Sequence, residues 1–323
     1  MELRHLQALV AVAESGSFSA AADTLGTVQS NISAHVARLE RELGLNLVDR
    51  GEGRLTPEGE VVVARAYRVL GELNALTGDL GALRAEVSGT VRAGMIGTTA
   101  RWLVPLVLAD LAVRHPKIRL VVADGTTTGL EPQVSNGRLD FAIVSLPVPG
   151  RDLSSAPLFA EDLVLVVPVA DDPLRGERRV MLEDLARFEL LLPAPGTPFR
   201  AEIDAATNPA GVVLRPRAEL DGVRLLASLT FEGYGPAVLP ATAVPMHLRD
   251  RFRLVFVDGL PRRQVGLAIR SRGLPSASAR AVLEVLLQLV ATPDRLPDGL
   301  HPVSATSPSR AEGSLRVMGV PNG

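Results

Sequence analysis

Residues 17–43, SFSAAADTLGTVQSNISAHVARLEREL, leave this stretch little choice but two short amphipathic helices joined at Gly26, the pattern of a DNA-reading helix-turn-helix. Ser17 or Ser19 supplies an N-cap, and Phe18, Ala21, Ala22 and Leu25 fall at i, i+3, i+4 and i+7, so one face is apolar. Gly26 tolerates a tight turn, Thr27 can cap the second helix, and Ile32, Val36, Leu39 and Leu43 form a second apolar stripe. The opposite face carries Ser30, Asn31, Ala34, Arg38 and Arg41. At its N-terminal end Gln29 and Ser30 offer the amide and hydroxyl groups that match base edges in a major groove. An ordinary helical hairpin has the same spacing, so the rest of the chain must discriminate.

The flanks extend the pattern. Residues 2–14 form a helix with Leu6, Leu9, Val10 and Ala13 on one side. Arg50-Gly-Glu-Gly-Arg54-Leu-Thr is short, polar and glycine-containing, as a two-stranded wing would be. Thr56-Pro57-Glu58 then supplies a cap, a proline at N1 and an acid in the first turn of another helix. From there Val62, Ala66, Val69, Leu73, Leu76, Leu80 and Leu83 alternate in steps of four and three, a coiled-coil seam that predicts a homodimer. A long helix packed on its own domain would carry a similar stripe. Charge is the awkward feature. Residues 1–58 hold five arginines against eight acids, so a basic footprint on DNA has to be local, from Arg38, Arg41, Arg50, Arg54, helix N-termini and His35.

The length of 323 residues accommodates two or three domains with a sizeable core. No apolar run reaches the length of a membrane span, and Glu2, Arg4 and His5 interrupt the stretch a signal peptide would need, so a cytoplasmic protein with no membrane partner is expected. With no cysteine in the chain, disulfides, thiolate metal sites and cysteine nucleophiles are excluded. The histidines at 5, 35, 115, 247 and 301 share no metal-ligand spacing, and no phosphate-binding GxxxxGK loop occurs; neither cofactor, metal nor catalytic residues are expected. Beyond Gly89, strand-like runs at 90–96, 118–123, 141–144, 163–167, 190–192, 237–239, 254–257 and 265–269 are separated by helical stretches such as 103–114 and 130–136. A closing helix is placed at 279–289. That alternation predicts parallel sheets in an α/β fold. From Ala291 the Pro-, Ser-, Gly- and Arg-rich tail reads as disordered.

Taken together, Leu6 to Leu9, the run ending at Arg50, and Leu55-Thr-Pro-Glu-Gly59 resemble a LysR-type transcriptional regulator. The resemblance covers residues 1 to about 290, for HPKIRL (115–120), GRLDFAIV (137–144), LVLVVP (163–168), PGTPFR (195–200) and GYGPAVLP (233–240) are similar to landmarks of that family's effector region. The resemblance implies an α/β multidomain protein. Its parts are a winged helix-turn-helix at 1–58 (helix-turn-helix about 18–37), a linker and dimerisation helix at 59–88, and a two-lobed effector domain at 89–292 like a periplasmic binding protein. Lobe I takes about 89–160 and 266–292, lobe II about 161–265, and 293–323 is the tail. By position, Gln29, Ser30, Asn31 and Ser33 fall where the family's recognition helix meets double-stranded DNA, and Arg50 and Arg54 fall at the wing. Ser30 replaces a common proline, Ala34 a frequent basic residue and Val28 a usual Thr or Ser cap. The wing is about two residues short. A homotetramer is also implied, and contact with RNA polymerase is left open.

Ligands of open α/β sheets bind beyond the carboxyl ends of strands, where loops enter helix N-termini. Gly97-Thr98-Thr99-Ala100 holds that place after the first strand, with hydroxyls and free N–H groups suited to an anion. Gly125-Thr126-Thr127-Thr128-Gly129 comes after the second strand, and Pro195-Gly-Thr197-Pro-Phe199 lies on the other lobe. With Ser145 these would line an interlobe cleft for a small-molecule effector, as the resemblance suggests. Arg101 and Trp102, beside it, read as solvating and packing residues. The competing reading is a non-DNA-binding α/β solute-binding protein or enzyme carrying a helical dimerisation module. It lacks both a signal peptide and a catalytic constellation.

Overall fold

The computed structural model describes residues 1–49, 51, 53–82, 87–170, 174, 176–292 and 296–302. Helix α1 (Leu3–Ser15) buries Leu6, Leu9, Val10 and Val12 and stops at Gly16, whose φ of 70° ends it in the left-handed conformation. Of the two candidate caps for α2 (Phe18–Thr24) it is Ser17 that serves, its Oγ accepting from the Ala20 N–H at 3.2 Å. Gly26, at φ 62°, makes the turn into α3 (Gln29–Leu43). Ile32, Val36 and Leu39 enter the core as the spacing requires, whereas Leu25 and Leu43 are 45% and 40% exposed. Leu25 is the C-cap of α2 and Leu43 the last residue of α3, so both stand at helix ends. Thr27 does not cap α3. Its Oγ1 instead accepts from the Asn31 side-chain amide at 3.0 Å, and Val28, at the cap position, offers no side-chain acceptor.

An antiparallel bridge between Val48 and Leu55 closes the hairpin after α3. Its base is held by the buried Glu40 carboxylate, which accepts from the Leu47 and Val48 N–H groups at 2.9 and 3.3 Å. Thr56 begins α4 (Pro57–Ala82), its Oγ1 accepting from the Gly59 N–H at 3.0 Å and donating to the Asn46 carbonyl at 2.8 Å. Gly59 lies against the chain at Leu47, and a Cβ there would stand 2.0 Å from the Leu47 carbonyl oxygen. Backbone cannot retreat as a side chain can. Gly59→Ala should therefore cost at least the 1–3 kcal/mol typical of overpacking, roughly, seen as an earlier unfolding transition of the N-terminal domain. An unchanged denaturant midpoint would contradict the close approach.

At about 1.5 Å per residue α4 spans roughly 39 Å. One side is fastened to the α/β domain: Arg68 donates to the Ser135 carbonyl at 2.6 Å, and Asp79 accepts from the Ala277 N–H at 2.9 Å and from Arg280 at 3.3 Å. The other side is bare, with Val69, Leu73, Leu76 and Leu80 exposed by 44, 38, 58 and 56%. Ala66 alone of the seam's upper half is buried, and Leu83 lies outside the described residues.

The α/β domain runs β1 (Gly89–Ile96), α5 (Gly97–Arg114), β2 (Ile118–Gly125), α6 (Thr127–Ser135), β3 (Phe141–Ser145), β4 (Leu153–Pro168), β5 (Arg179–Met181), β6 (Glu189–Pro193), α7 (Pro198–Thr207), β7 (Arg215–Leu220), α8 (Val223–Phe231), β8 (Ala237–Pro240), β9 (Phe252–Asp258), β10 (Arg262–Arg270), α9 (Ala277–Ala291) and β11 (Leu300–Pro302). The expectation of parallel sheets needs correction. β1 is parallel to β2 and β3, and β6 to β7 and β8, but β10 is antiparallel to both β3 and β4, and β4 is antiparallel to β8 and β9. The reason is topological. β4 and β10 carry the chain out of one lobe and back, so they run against their neighbours. Leu153–Asp162 of β4 pairs with β10 and Leu163–Pro168 pairs with β8 and β9, which joins the two lobes through one strand.

The tail also differs from expectation. Leu300 pairs with Glu161 and Pro302 with Phe159 along β4, and the Asp162 N–H donates to the Gly299 carbonyl at 2.8 Å. His301 Nε2 meets the Asp162 carboxylate at 2.7 Å. Three residues of strand suffice because the β4 edge would otherwise be left with open backbone groups. Residues 303–323 lie outside the described set.

Candidate nucleic-acid interface and ligand cleft

On α3, Gln29, Ser30, Asn31, Ala34 and Arg38 are exposed together, and Ser33 is half-buried beside them. The first N–H groups of the helix lack a side-chain cap, which leaves them to a phosphate or to water. His35 turns the other way. Half-buried, its ring lies 5.5 Å from that of His5, and burial holds the His5 imidazole below its ordinary pKa. Arg38 reaches Glu42 at 3.5 Å along its own helix and stays solvent-accessible. Arg54 is exposed next to Gly53 in the hairpin, and Arg50 lies outside the described residues.

Between the lobes is a cleft of about 450 Å3. Thr98, Thr126, Thr127, Ser145, Thr197 and Phe199 all line it, brought together from the ends of β1, β2 and β3 and the start of α7. Thr99, by contrast, is fully buried one residue past the rim, and its Oγ1 has no partner. Helix geometry explains the difference, since adjacent residues point about 100° apart. Some hydroxyls are already engaged in the fold. Thr126 caps α6, Thr197 caps α7, and the Thr127 Oγ1 accepts from the Ser145 N–H at 3.1 Å. The N-termini of α5 and α8 are different: Ile96 and Gly222, at their cap positions, provide no side-chain acceptor, and both ends open on the cleft from opposite lobes.

The charged groups of the cleft escaped sequence reasoning. Arg263, on β10, is nearly buried and donates through Nη2 to the Thr98 Oγ1 at 3.1 Å and to Glu161 Oε2 at 2.5 Å, with Nε adding a longer contact. The other oxygen of fully buried Glu161 accepts from the Thr242 N–H at 2.8 Å and from the Thr242 hydroxyl. Glu202 contributes a buried oxygen without a partner, and burial pushes its carboxyl above the ordinary carboxylate range despite the nearby Arg263. Asp124 of lobe I and Arg224 of lobe II form an ion pair across the mouth. The available signal was charge interrupting an apolar strand, Glu161 in PLFAEDLVLVV and Arg263 in PRRQVGLAI, at the two places where the chain crosses between lobes. Among the described residues no group of acids and histidines could hold a metal, and no helix is long and apolar enough to cross a membrane.

A hairpin-flanked helix-turn-helix, a long helix with a bare apolar seam and a two-lobed α/β domain define a class of regulator. The family described as "LysR substrate binding domain" matches residues 84–291, and "Bacterial regulatory helix-turn-helix protein, lysR family" matches residues 3–60. The chain belongs to the LysR family and is a LysR-type transcriptional regulator, with a DNA-binding helix-turn-helix and an effector-binding domain. It is 34% identical over 296 residues to a probable hydrogen peroxide-inducible genes activator of Mycobacterium leprae, covering 89% of this chain and 94% of that one. A full-length OxyR from Pseudomonas aeruginosa carrying a cysteine-to-aspartate change superimposes with a TM-score of 0.71 at 27% identity, over 94% of this chain and 97% of that chain. CbnR complexed with its target DNA gives 0.64 at 24% identity over 90% and 99%, a likeness of fold.

Proposed function

We propose that the chain is a cytoplasmic, non-enzymatic, dimeric repressor or activator that reads operator DNA with α3 and is switched by a small organic anion bound between its lobes, without a prosthetic group. The observation that carries the effector's class is the pair of uncapped helix N-termini, α5 and α8, facing one another across a hydroxyl-lined cleft. Unpaired N–H groups and helix dipoles favour negative charge there, while Arg263, whose charge is met by Glu161, offers guanidinium N–H donors at the cleft wall. An anion held by both lobes would bind the closed arrangement better than the open one, which is what a switch requires. Peroxide sensing through a thiol is chemically closed to this chain, which has no cysteine, whatever its relatives do.

Thermal-shift measurement with dicarboxylates, aromatic carboxylates and hydrogen peroxide tests this. A true effector present at 100 times its Kd stabilises by about 2.7 kcal/mol, raising the melting temperature by roughly 5 °C or more. A shift given by peroxide and by no carboxylate overturns the reading.

The dimer rests on the bare seam of α4. Leu73→Asp with Leu76→Asp places charge on exposed apolar positions, so the single chain folds normally while the oligomer dissociates. Sedimentation velocity should show a smaller species than the wild type; an intact oligomer would move the principal interface elsewhere.

A further inference from the structure

A second cavity, of about 670 Å3, shares no lining residue with the cleft. Its walls come from both lobes, α5 on one side and α8 with the 242–249 turns on the other, and Leu296 and Pro297 of the C-terminal segment close one edge. Trp102, Leu106, Phe231, Val244 and Leu248 make most of it apolar, and the two aromatic rings are fixed. Trp102 stands edge-on to Phe159 at 5.6 Å, and Phe231 edge-on to Phe252 at 5.2 Å.

Two guanidinium groups break the apolar lining. The Nε of Arg249 is buried with no partner, and its Nη1 reaches Asp298 only at 3.4 Å. Arg101, exposed at the rim, has no hydrogen-bond or ion-pair partner among the described residues. One acid stands opposite, Glu232, exposed and accepting from the Ser228 hydroxyl at 3.1 Å. With Asp298 on the Arg249 Nη1 and Glu232 across the mouth the formal charges balance, but the Arg249 Nε and the whole Arg101 guanidinium are left without a partner among the described residues. A buried, unpaired N–H donor beside an apolar wall is costly unless something completes it.

We infer that this cavity is a second ligand site, taking an amphipathic organic anion whose apolar body lies on Trp102 and Phe231 and whose acid group sits between Arg101 and Arg249. Because its walls belong to different lobes, the occupant biases their relative position and so acts on the same equilibrium as the cleft.

Trp102 is the chain's single tryptophan and lines this cavity and not the cleft, so its fluorescence is a direct probe of the site. Octanoate and its neutral amide, titrated into the full chain, are the probes. Octanoate should change Trp102 emission saturably, octanamide should bind roughly tenfold more weakly, and Arg249→Met should weaken octanoate by a similar factor. Arg101→Gln, at an exposed position without a partner among the described residues, should also weaken it while leaving the melting temperature unchanged. Thr128→Glu, which sets a negative charge in the cleft, should leave the response intact. Three results overturn the site: emission unmoved by octanoate, equal affinity for acid and amide, or a response lost in Thr128→Glu and kept in Arg101→Gln. A Trp102 shielded from acrylamide in the wild-type protein and uncovered in the Leu73→Asp, Leu76→Asp variant would also overturn it, assigning the cavity to a second copy of the chain.

Discussion

With Gln29 and Ser30 both replaced by alanine, specific retardation of the promoter upstream of the chain's own gene is lost. A good base-edge contact discriminates by about 1–3 kcal/mol, so two removed together weaken specific binding by roughly 30-fold to 10⁴-fold. Neither side chain caps the helix or touches the core, and both are exposed, so melting temperature and oligomeric size stay as in the wild type. Weak, salt-sensitive binding to unrelated DNA should persist, because Arg38, Arg54 and the backbone N–H groups of α3, to which we assign the phosphate contacts, are untouched. The measurement is an electrophoretic mobility shift with operator and scrambled competitor at fixed salt. Undiminished operator preference in the double variant would remove α3 from base reading.

The second large effect lies at the hinge. Arg263→Met leaves Glu161 charged, fully buried and held only by Thr242; losing one member of such a pair costs about 3–5 kcal/mol. Glu161→Leu strands Arg263 in the same way and should cost about as much. The double change to apolar residues should be milder than the sum of the two, since neither charge is then left alone. Urea unfolding of the effector domain measures all three. Single-variant losses below about 1 kcal/mol, the range of exposed ion pairs, would show that water reaches the pair. Arg263 also lines the cleft and holds Thr98, so Arg263→Met should lower effector affinity even where the domain remains folded.

Periodicity carried the N-terminal half. Ile32, Val36 and Leu39 are core because a helix returns the same face every three to four residues, and no neighbour is needed to know it. The alternation of strand-like and helical runs located most elements of the α/β domain to within a few residues. α7, β7 and α8 were not foreseen, since the edge strand RPRAEL is half charged and α8, VRLLASLTF, is apolar nearly all round. Strand direction was also out of reach, for a run of apolar residues reads alike either way along a sheet.

The candidate site divides along the same line. Loops after β1, β2 and β3 and before α7 could be placed because strand ends and helix starts leave local marks. Six of their residues do share the cleft, while Thr99 does not. Arg263, Glu161 and Glu202 were invisible because their role comes from which distant segments they meet: Arg263 stands 102 positions from Glu161 and 165 from Thr98. Arg101 and Trp102 show it from the other side. As neighbours of a loop they signify packing and solvation; as part of a wall shared with Phe231 and Arg249 they line a cavity.

From its sequence alone this chain is a helix-turn-helix reader, a linker helix with a heptad seam and an α/β domain without thiol chemistry, because local periodicity, capping and composition depend only on nearby residues. Tertiary structure decided that β4 and β10 join the lobes antiparallel, that the tail adds a strand at the hinge and that a buried Arg–Glu pair holds it. Those depend on chain closure over a hundred residues, where the partner of a buried charge or an open strand edge is set by topology and not by spacing.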